Sequence, residues 1–168
     1  MSDGLNPALE DARFCPRCGN AAEVDYPRSI SCPHCGYGAY YNPKPVAAAI
    51  PVTHDNKVVL LRRGFDPGKD LWTFLGGFVD LGESVEDAAR REAREEIVAD
   101  VELAGLVGVY SRPEDRVVLI VFAATIGDEP KTTPEALQVE AFAPDEIPWQ
   151  ELAFWSTTNA LKDFLARS

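Results

Sequence analysis

Two copies of one short pattern, Cys15-Pro16-Arg17-Cys18-Gly19 and Cys32-Pro33-His34-Cys35-Gly36, set four thiols in two close pairs, with 13 residues between Cys18 and Cys32. Two cysteines so spaced on a tight turn reach one ion; the proline shapes the turn, and the glycine lets backbone amides face thiolate sulfur. Four thiolates close a tetrahedral site. The spacing therefore predicts a structural Zn2+ held by Cys15, Cys18, Cys32 and Cys35 in a ribbon over residues 13–39. A filled coordination shell leaves no place for water or substrate, so chemistry belongs elsewhere. Disulfides or a redox pair fit the spacing less well, and reduced thiols point to a reducing, cytoplasmic compartment. His34 is a bystander, because four cysteines suffice.

The 168 residues are 46% hydrophobic and 26% charged, which suits one compact core with a small appendage. Sixteen Lys and Arg against 27 Asp and Glu give a net charge of −11, so the molecule repels polyanions. A general nucleic-acid coat function is disfavoured. Only the cysteine segment is basic, with Arg13, Arg17, Arg28 and Lys44 against Glu23 and Asp25. The longest apolar run, 117–126, is about half a membrane span, and the first residues lack a basic start and an apolar stretch. The expectation is a soluble chain with no membrane partner.

Tyr40-Tyr41-Asn42-Pro43-Lys44-Pro45 reads as an extended linker, so a second domain is expected over 46–168. Segments 46–52 and 57–63 predict a β-hairpin around Thr53-His54-Asp55-Asn56, with Pro51 at an edge or bulge and His54 solvated. A strand broken by Gly76-Gly77 follows, then a helix from about Ser84 to Val98 with Ser84 and Asp87 as a capping pair. Strands near 101–110, 116–126 and 137–143 and a closing helix near 157–166 complete a mixed α/β pattern.

On a helical wheel, Glu92 and Glu96 fall within about 20° of Val85, and Glu95 lies about 80° to one side. Ala88 and Ala89 share this arc, whereas Asp87, Arg90 and Arg94 take the opposite side. Acids thus occupy the apolar face. Carboxylates clustered there repel one another and resist desolvation unless a cation neutralises them. All-oxygen ligands suit a hard divalent ion such as Mg2+. Arg91, four positions before Glu95, offsets part of the charge. The glycines upstream give backbone freedom beside helix-start amides that suit phosphate.

Residues 77–99 resemble the Nudix box, G-x5-E-x7-R-E-U-x-E-E-x-G-U with U aliphatic, through Gly77, Glu83, Arg91, Glu92, Glu95 and Glu96 in register. Val98 replaces the second glycine, Ala93 and Ala99 stand at the aliphatic positions, and Leu75 replaces the proline frequent before the paired glycines. The resemblance implies an α/β/α sandwich with a mixed sheet and Mg2+-dependent (or Mn2+-dependent) hydrolysis of a nucleoside diphosphate linked to another moiety. It implies Glu92, Glu95, Glu96 and the Gly77 carbonyl as metal ligands, Glu83 assisting the metal or its waters, and Arg91 orienting the acids. Nudix enzymes take their general base from the box or from a later loop, and Glu135, in a polar segment long enough to serve as a lid, is the candidate here. Arg62, with Arg63, could reach phosphate from a strand end, and Tyr110, Phe122 and Phe142 could stack on a base. Each of these aromatics equally fits a core position in its strand.

A four-cysteine ribbon before this box is similar to two Nudix subfamilies: NADH pyrophosphatases, and the plastid-type FAD or ADP-ribose pyrophosphatases with their bacterial relatives. The former carry S-Q-P-W-P-F-P-x-S after the box, and nothing like it stands between Val98 and Arg116. YNPKP and FAPDEIPWQELAF (142–154) resemble the latter. ADP-ribose or FAD is therefore the expected substrate, with AMP released, and the resemblance implies a homodimer. NADH hydrolysis, a ligand-sensing protein without turnover and a weak RNA contact through the ribbon are the alternatives; no box glutamate is lost, which argues against the sensor.

Overall fold

The computed structural model describes residues 5–167, in two compact units. The first runs to Pro43 and takes in Pro113–Arg116. It begins with a short helix, α1 (Pro7–Glu10), whose Leu9 is buried. Asn6 Nδ2 donates to the Pro27 carbonyl at 2.8 Å and ties this turn down. The sequence reading had no element here, since four residues carry no period. Strands β1 (Glu23–Asp25), β2 (Ser29–Ser31) and β3 (Gly38–Tyr40) form an antiparallel sheet in that order. Ile30 on the central strand is buried, as are Cys15 and Cys32.

The second unit contains β4 (Lys44–Val52), β5 (Val58–Arg63), β6 (Trp72–Thr73), β7 (Leu75–Phe78), α2 (Val85–Ile97), β8 (Val101–Tyr110), β9 (Val117–Ile126), β10 (Ala136–Phe142), a 3₁₀ turn at Trp149–Glu151 and α3 (Trp155–Leu165). The sheet order is β10-β5-β4-β9-β8, with β6 beside β5 and β7 beside β4. The β4–β9 pair is parallel and the other strand pairs of this sheet among the described residues are antiparallel, so the sheet is mixed. Strand alternation divides its side chains between two faces. Ala48, Ile50, Leu60, Trp72, Val121 and Leu161 pack together on the α3 face, and Ala49, Leu61, Leu75, Ala93, Ile97 and Ala124 on the α2 face. The expected α/β/α sandwich is present.

The α2 helix approaches closely because both surfaces are lined by methyl groups. Ala47 and Ala49 on β4 meet Ala88, Ala89 and Ala93 on α2, all of them fully buried. Ser84 caps the helix as expected: its Oγ accepts from the Asp87 amide at 3.1 Å and donates to the Asp87 carboxylate at 2.7 Å. At the other end Val98 adopts a left-handed conformation (φ 55°, ψ 38°), which a β-branched residue tolerates poorly.

Pro51 departs from expectation. It is buried in a central strand, paired with Ala124, and not at an edge. It stands where the antiparallel partner of β4 changes from β7, along Val46–Ala49, to β5 at Val52, a gap in the ladder that spares a missing amide. His54 is exposed in the hairpin turn, as expected. Among the described residues, no helix is long and apolar enough to cross a membrane.

Candidate active site

Strand β7 runs antiparallel to β4 with Ala47 opposite Gly77 and Ala48 opposite Gly76. A side chain at residue 76 would collide with the Ala48 backbone, and one at 77 with the Glu92 carboxylate. The paired glycines therefore let strand, sheet and helix carboxylate converge. Gly76 donates its amide to Glu96 Oε2 at 2.9 Å, which fixes one carboxylate on the loop.

The wheel separated the acids correctly. Glu96 is only 4% exposed, the side chain of Glu92 12%, and that of Glu95 55%. Burial pushes the Glu96 carboxyl up to about 8, against the Gly76 amide, and the Glu92 charge adds to the rise. Burial also raises Glu92, opposed by the Arg91 guanidinium. Both acids thus resist ionisation together unless positive charge arrives.

Arg91 gathers the remaining acids. Its Nη1 donates to Glu92 Oε1 at 2.7 Å and to Glu95 Oε2 at 2.8 Å, and its Nη2 to the Phe78 carbonyl at 2.9 Å and to Glu83 Oε1 at 2.7 Å. These bonds, that to Glu83 foremost, raise the Arg91 pKa. Glu83 is held below the usual carboxylate range, first by Arg91 and then by the Asp80 amide at 2.7 Å.

Glu135 reaches the same region. Its charge contributes to the rise of both Glu92 and Glu96, and its backbone is hydrogen-bonded in place. The segment expected to serve as a lid is tied to the end of α2: Lys131 N donates to Ile97 O at 2.8 Å and Thr133 Oγ1 to Glu96 O at 2.8 Å.

Of the expected substrate contacts, Arg62, Tyr110, Phe142 and Phe122 do not join the acids. Arg62 follows Leu60 onto the α3 face, where its Nε donates to Asp70 O at 2.8 Å and its Nη1 to Gln138 Oε1 at 2.9 Å. Tyr110 donates to Asp163 Oδ2 on α3 at 2.8 Å, and burial, with that bond, pushes its hydroxyl up to about 12. Phe142 packs edge-on against Trp72, with ring centroids 5.1 Å apart. Phe122 lies beneath α2 with Ala47, Ala88 and Ala89.

Arg63, one residue on, faces the acids. Its guanidinium carbon sits 4.7 Å from the Phe65 ring centroid and 5.1 Å from that of Phe154, and its Nε donates to Pro67 O at 2.8 Å. Burial lowers its pKa, while Glu96 and Glu135 pull it back. Period-two alternation along β5 was the signal that separates Arg63 from Arg62; Phe65 and Phe154 had no signal in the sequence.

In the ribbon, the four thiols face one another. Cys15 Sγ lies 3.7 Å from Cys35 Sγ and Cys18 Sγ 3.7 Å from Cys32 Sγ, with all four sulfurs within 4.8 Å of each other. Tetrahedral zinc with bonds of about 2.3 Å would set sulfurs about 3.8 Å apart. No disulfide forms. Gly19 and Gly36 take positive φ of 73° and 70° after each knuckle, donating to Cys15 O and Cys32 O. Asn20 lowers the Cys18 pKa to about 6 through hydrogen bonds, its backbone first. Its side chain also contacts His34 Nδ1 at 3.2 Å, which keeps that exposed ring outside the sulfur cluster.

Comparison with known proteins accords with this geometry. Residues 43–164 match the NUDIX domain family. An ADP-ribose pyrophosphatase of Methanocaldococcus jannaschii is 35% identical over 134 residues, 77% of this chain and 77% of that protein. The NAD-capped RNA hydrolase NudC of Pseudomonas aeruginosa is 35% identical over 114 residues, covering 67% of this chain but 40% of that protein, so the chain spans well under half of this relative's length. A NUDIX hydrolase crystal structure from Nitrosomonas europaea superposes with a TM-score of 0.82 at 34% identity, over 93% of this chain and 92% of its own.

Proposed function

Since the chain belongs to the Nudix family of hydrolases, we propose that it cleaves the diphosphate bond of ADP-ribose or FAD, releasing AMP together with ribose 5-phosphate or FMN. The observation that carries this reading is the Glu92–Glu96 pair, two carboxylates raised by burial and by neighbouring acids beside a backbone stripped of side chains. Their chemistry fits a hard divalent cation, since oxygen donors alone converge and a cation removes the repulsion. Glu92, Glu95, Glu96 and the Gly77 carbonyl would hold Mg2+ or Mn2+, which supplies charge neutralisation on the diphosphate and lowers the pKa of water. Four cysteines would hold the structural Zn2+, in a ribbon domain of residues 13–39 ahead of a hydrolase domain of residues 46–168.

The chain's own groups divide the remaining work. Arg91 orients Glu92 and Glu95, and Glu83 anchors Arg91. Glu135 takes a proton from the attacking water as its oxygen bonds to phosphorus; the phosphorus–bridging oxygen bond breaks, and the leaving phosphate keeps that electron pair. Arg63, clamped between two rings, would donate to a phosphate oxygen. ADP-ribose leads because the Methanocaldococcus relative matches over 77% of both chains.

A second reading, hydrolysis of NADH or NAD-capped RNA, draws on the NudC likeness. The missing S-Q-P-W-P-F-P-x-S segment and the net charge of −11 weigh against it. Purified protein with Mg2+ should be assayed for kcat/KM on ADP-ribose, FAD, NADH and NAD-capped RNA, with products resolved by chromatography. A preference of about tenfold or more for NADH or the capped RNA would overturn the substrate choice.

A further inference from the structure

We propose that Thr133 is a positioning residue that sets Glu135 against the acid face of α2, an inference that rests on the reading of Glu135 as general base. The Thr133 hydroxyl donates to the Glu96 carbonyl at 2.8 Å and accepts the amides of Glu135 and Ala136, each at 3.2 Å. A hydroxyl offers one proton and two lone pairs, so its capacity is filled.

The Glu96 carbonyl is available because it belongs to the last turn of α2, where carbonyls lack intrahelical partners. Lys131 satisfies the next one, Ile97 O, at 2.8 Å. The segment between β9 and β10 therefore docks on the helix end by two bonds. From the opposite side Gly64 N donates to Glu135 O at 2.8 Å, and a side chain at residue 64 would run into the Pro134 carbonyl. Both backbone groups of Glu135 are thus held, the amide by Thr133 and the carbonyl by Gly64. Only its side-chain torsions remain free.

One oxygen links the backbone of the buried acid Glu96 to the backbone of Glu135. Reactivity falls steeply when a proton acceptor moves by about an ångström, so this link sets the acceptor's distance without touching substrate. Chain tracing alone gives no hint of it, because Thr133 and Glu96 lie 37 residues apart.

The test is a double-mutant cycle on the full chain with Mg2+ and ADP-ribose or, if it proves the better substrate, FAD. Thr133→Val should lower kcat by about 10- to 100-fold while KM and the Mg2+ midpoint move less than about twofold. Thr133→Ser should restore kcat. In the Glu135→Gln background, Thr133→Val should add less than about a twofold further loss. Gly64→Ala, which pushes the same loop from the other side, should behave alike and serves if Thr133→Val does not fold. Additive losses, a displaced Mg2+ midpoint or no rescue by serine would overturn the role, since Thr133 would then support the helix alone. Glu135→Gln with undiminished kcat would remove the general base itself, and the positioning role with it, a failure visible in that single variant.

Discussion

Arg91 and Glu83 meet through two parallel hydrogen bonds, Nη2 to Oε1 at 2.7 Å and Nε to Oε2 at 3.2 Å. With the bonds to Glu92, Glu95 and the Phe78 carbonyl, all five guanidinium protons have acceptors. One cation therefore registers the loop before α2 with two acids on it.

Lysine cannot reproduce that fork, because its ammonium is a single point on a flexible stem. Arg91→Lys should keep the fold and reduce kcat/KM by about 10- to 100-fold, the range for a residue that orients metal ligands. Steady-state kinetics across an Mg2+ titration would check this, and wild-type kinetics would show that charge alone suffices.

Removing the carboxylates should separate chemistry from stability. Glu95→Gln and Glu96→Gln should each lower turnover by about 100-fold or more at saturating Mg2+. In metal-free protein, Glu96 holds a proton up to about pH 8, whereas the unfolded chain releases it near the ordinary 4.5. The folded state then binds the extra proton between those values, so stability is greatest below the lower one and falls as pH rises through the upper. Denaturant melts of chelated protein at pH 5 and pH 8.5 should show that decline, and Glu96→Gln should flatten it. An unchanged slope in the variant would assign the pH dependence to other groups.

The sulfur cluster should carry one Zn2+ per chain by elemental analysis, given its 3.7 Å separations. Cys32→Ser, at a buried thiol of the cluster, should release it and lower Tm, with cleavage of the diphosphate bond affected only through loss of folded protein. Full zinc content in that variant would contradict the four-thiolate site.

Val98→Gly should raise stability by about 0.5–1 kcal/mol, because glycine accepts the left-handed backbone while its greater freedom in the unfolded chain offsets part of the gain. Val98 is 53% exposed, so little packing is lost. Chemical denaturation would read the change, and a loss of stability would mean the valine methyls contribute more than their exposure suggests.

The sequence made much of this legible for a physical reason. Glu92 and Glu96 at one helical angle with Ala88 and Ala89 announce buried charge, and two knuckles of one pattern announce a shared ion. Period and repeat survive in one dimension. What escaped depends on tertiary placement: alternation separates Arg63 from Arg62, but which of the two faces the acids follows only once α2 is placed over the sheet, and the roles of Tyr110 and Phe142 needed Asp163 and Trp72 as neighbours. The segment around Glu135 read as mobile because its polar residues resemble any loop, whereas its restraints come from Glu96, Ile97 and Gly64. Pro51 escaped because a switch of strand partners is written in pairing alone.

The alanine seam between β4 and α2 makes the chain's tolerance to drift lopsided. Ala47, Ala88, Ala89 and Ala93 are fully buried and touch no reacting group, yet one added methylene at any of them must lift the helix or bend the strand. Gly76 and Gly77 ride on that same spacing. A lineage could thus keep every glutamate of the motif and still fall silent, inactivated by valine at Ala47, Ala88 or Ala89, positions the motif leaves unspecified.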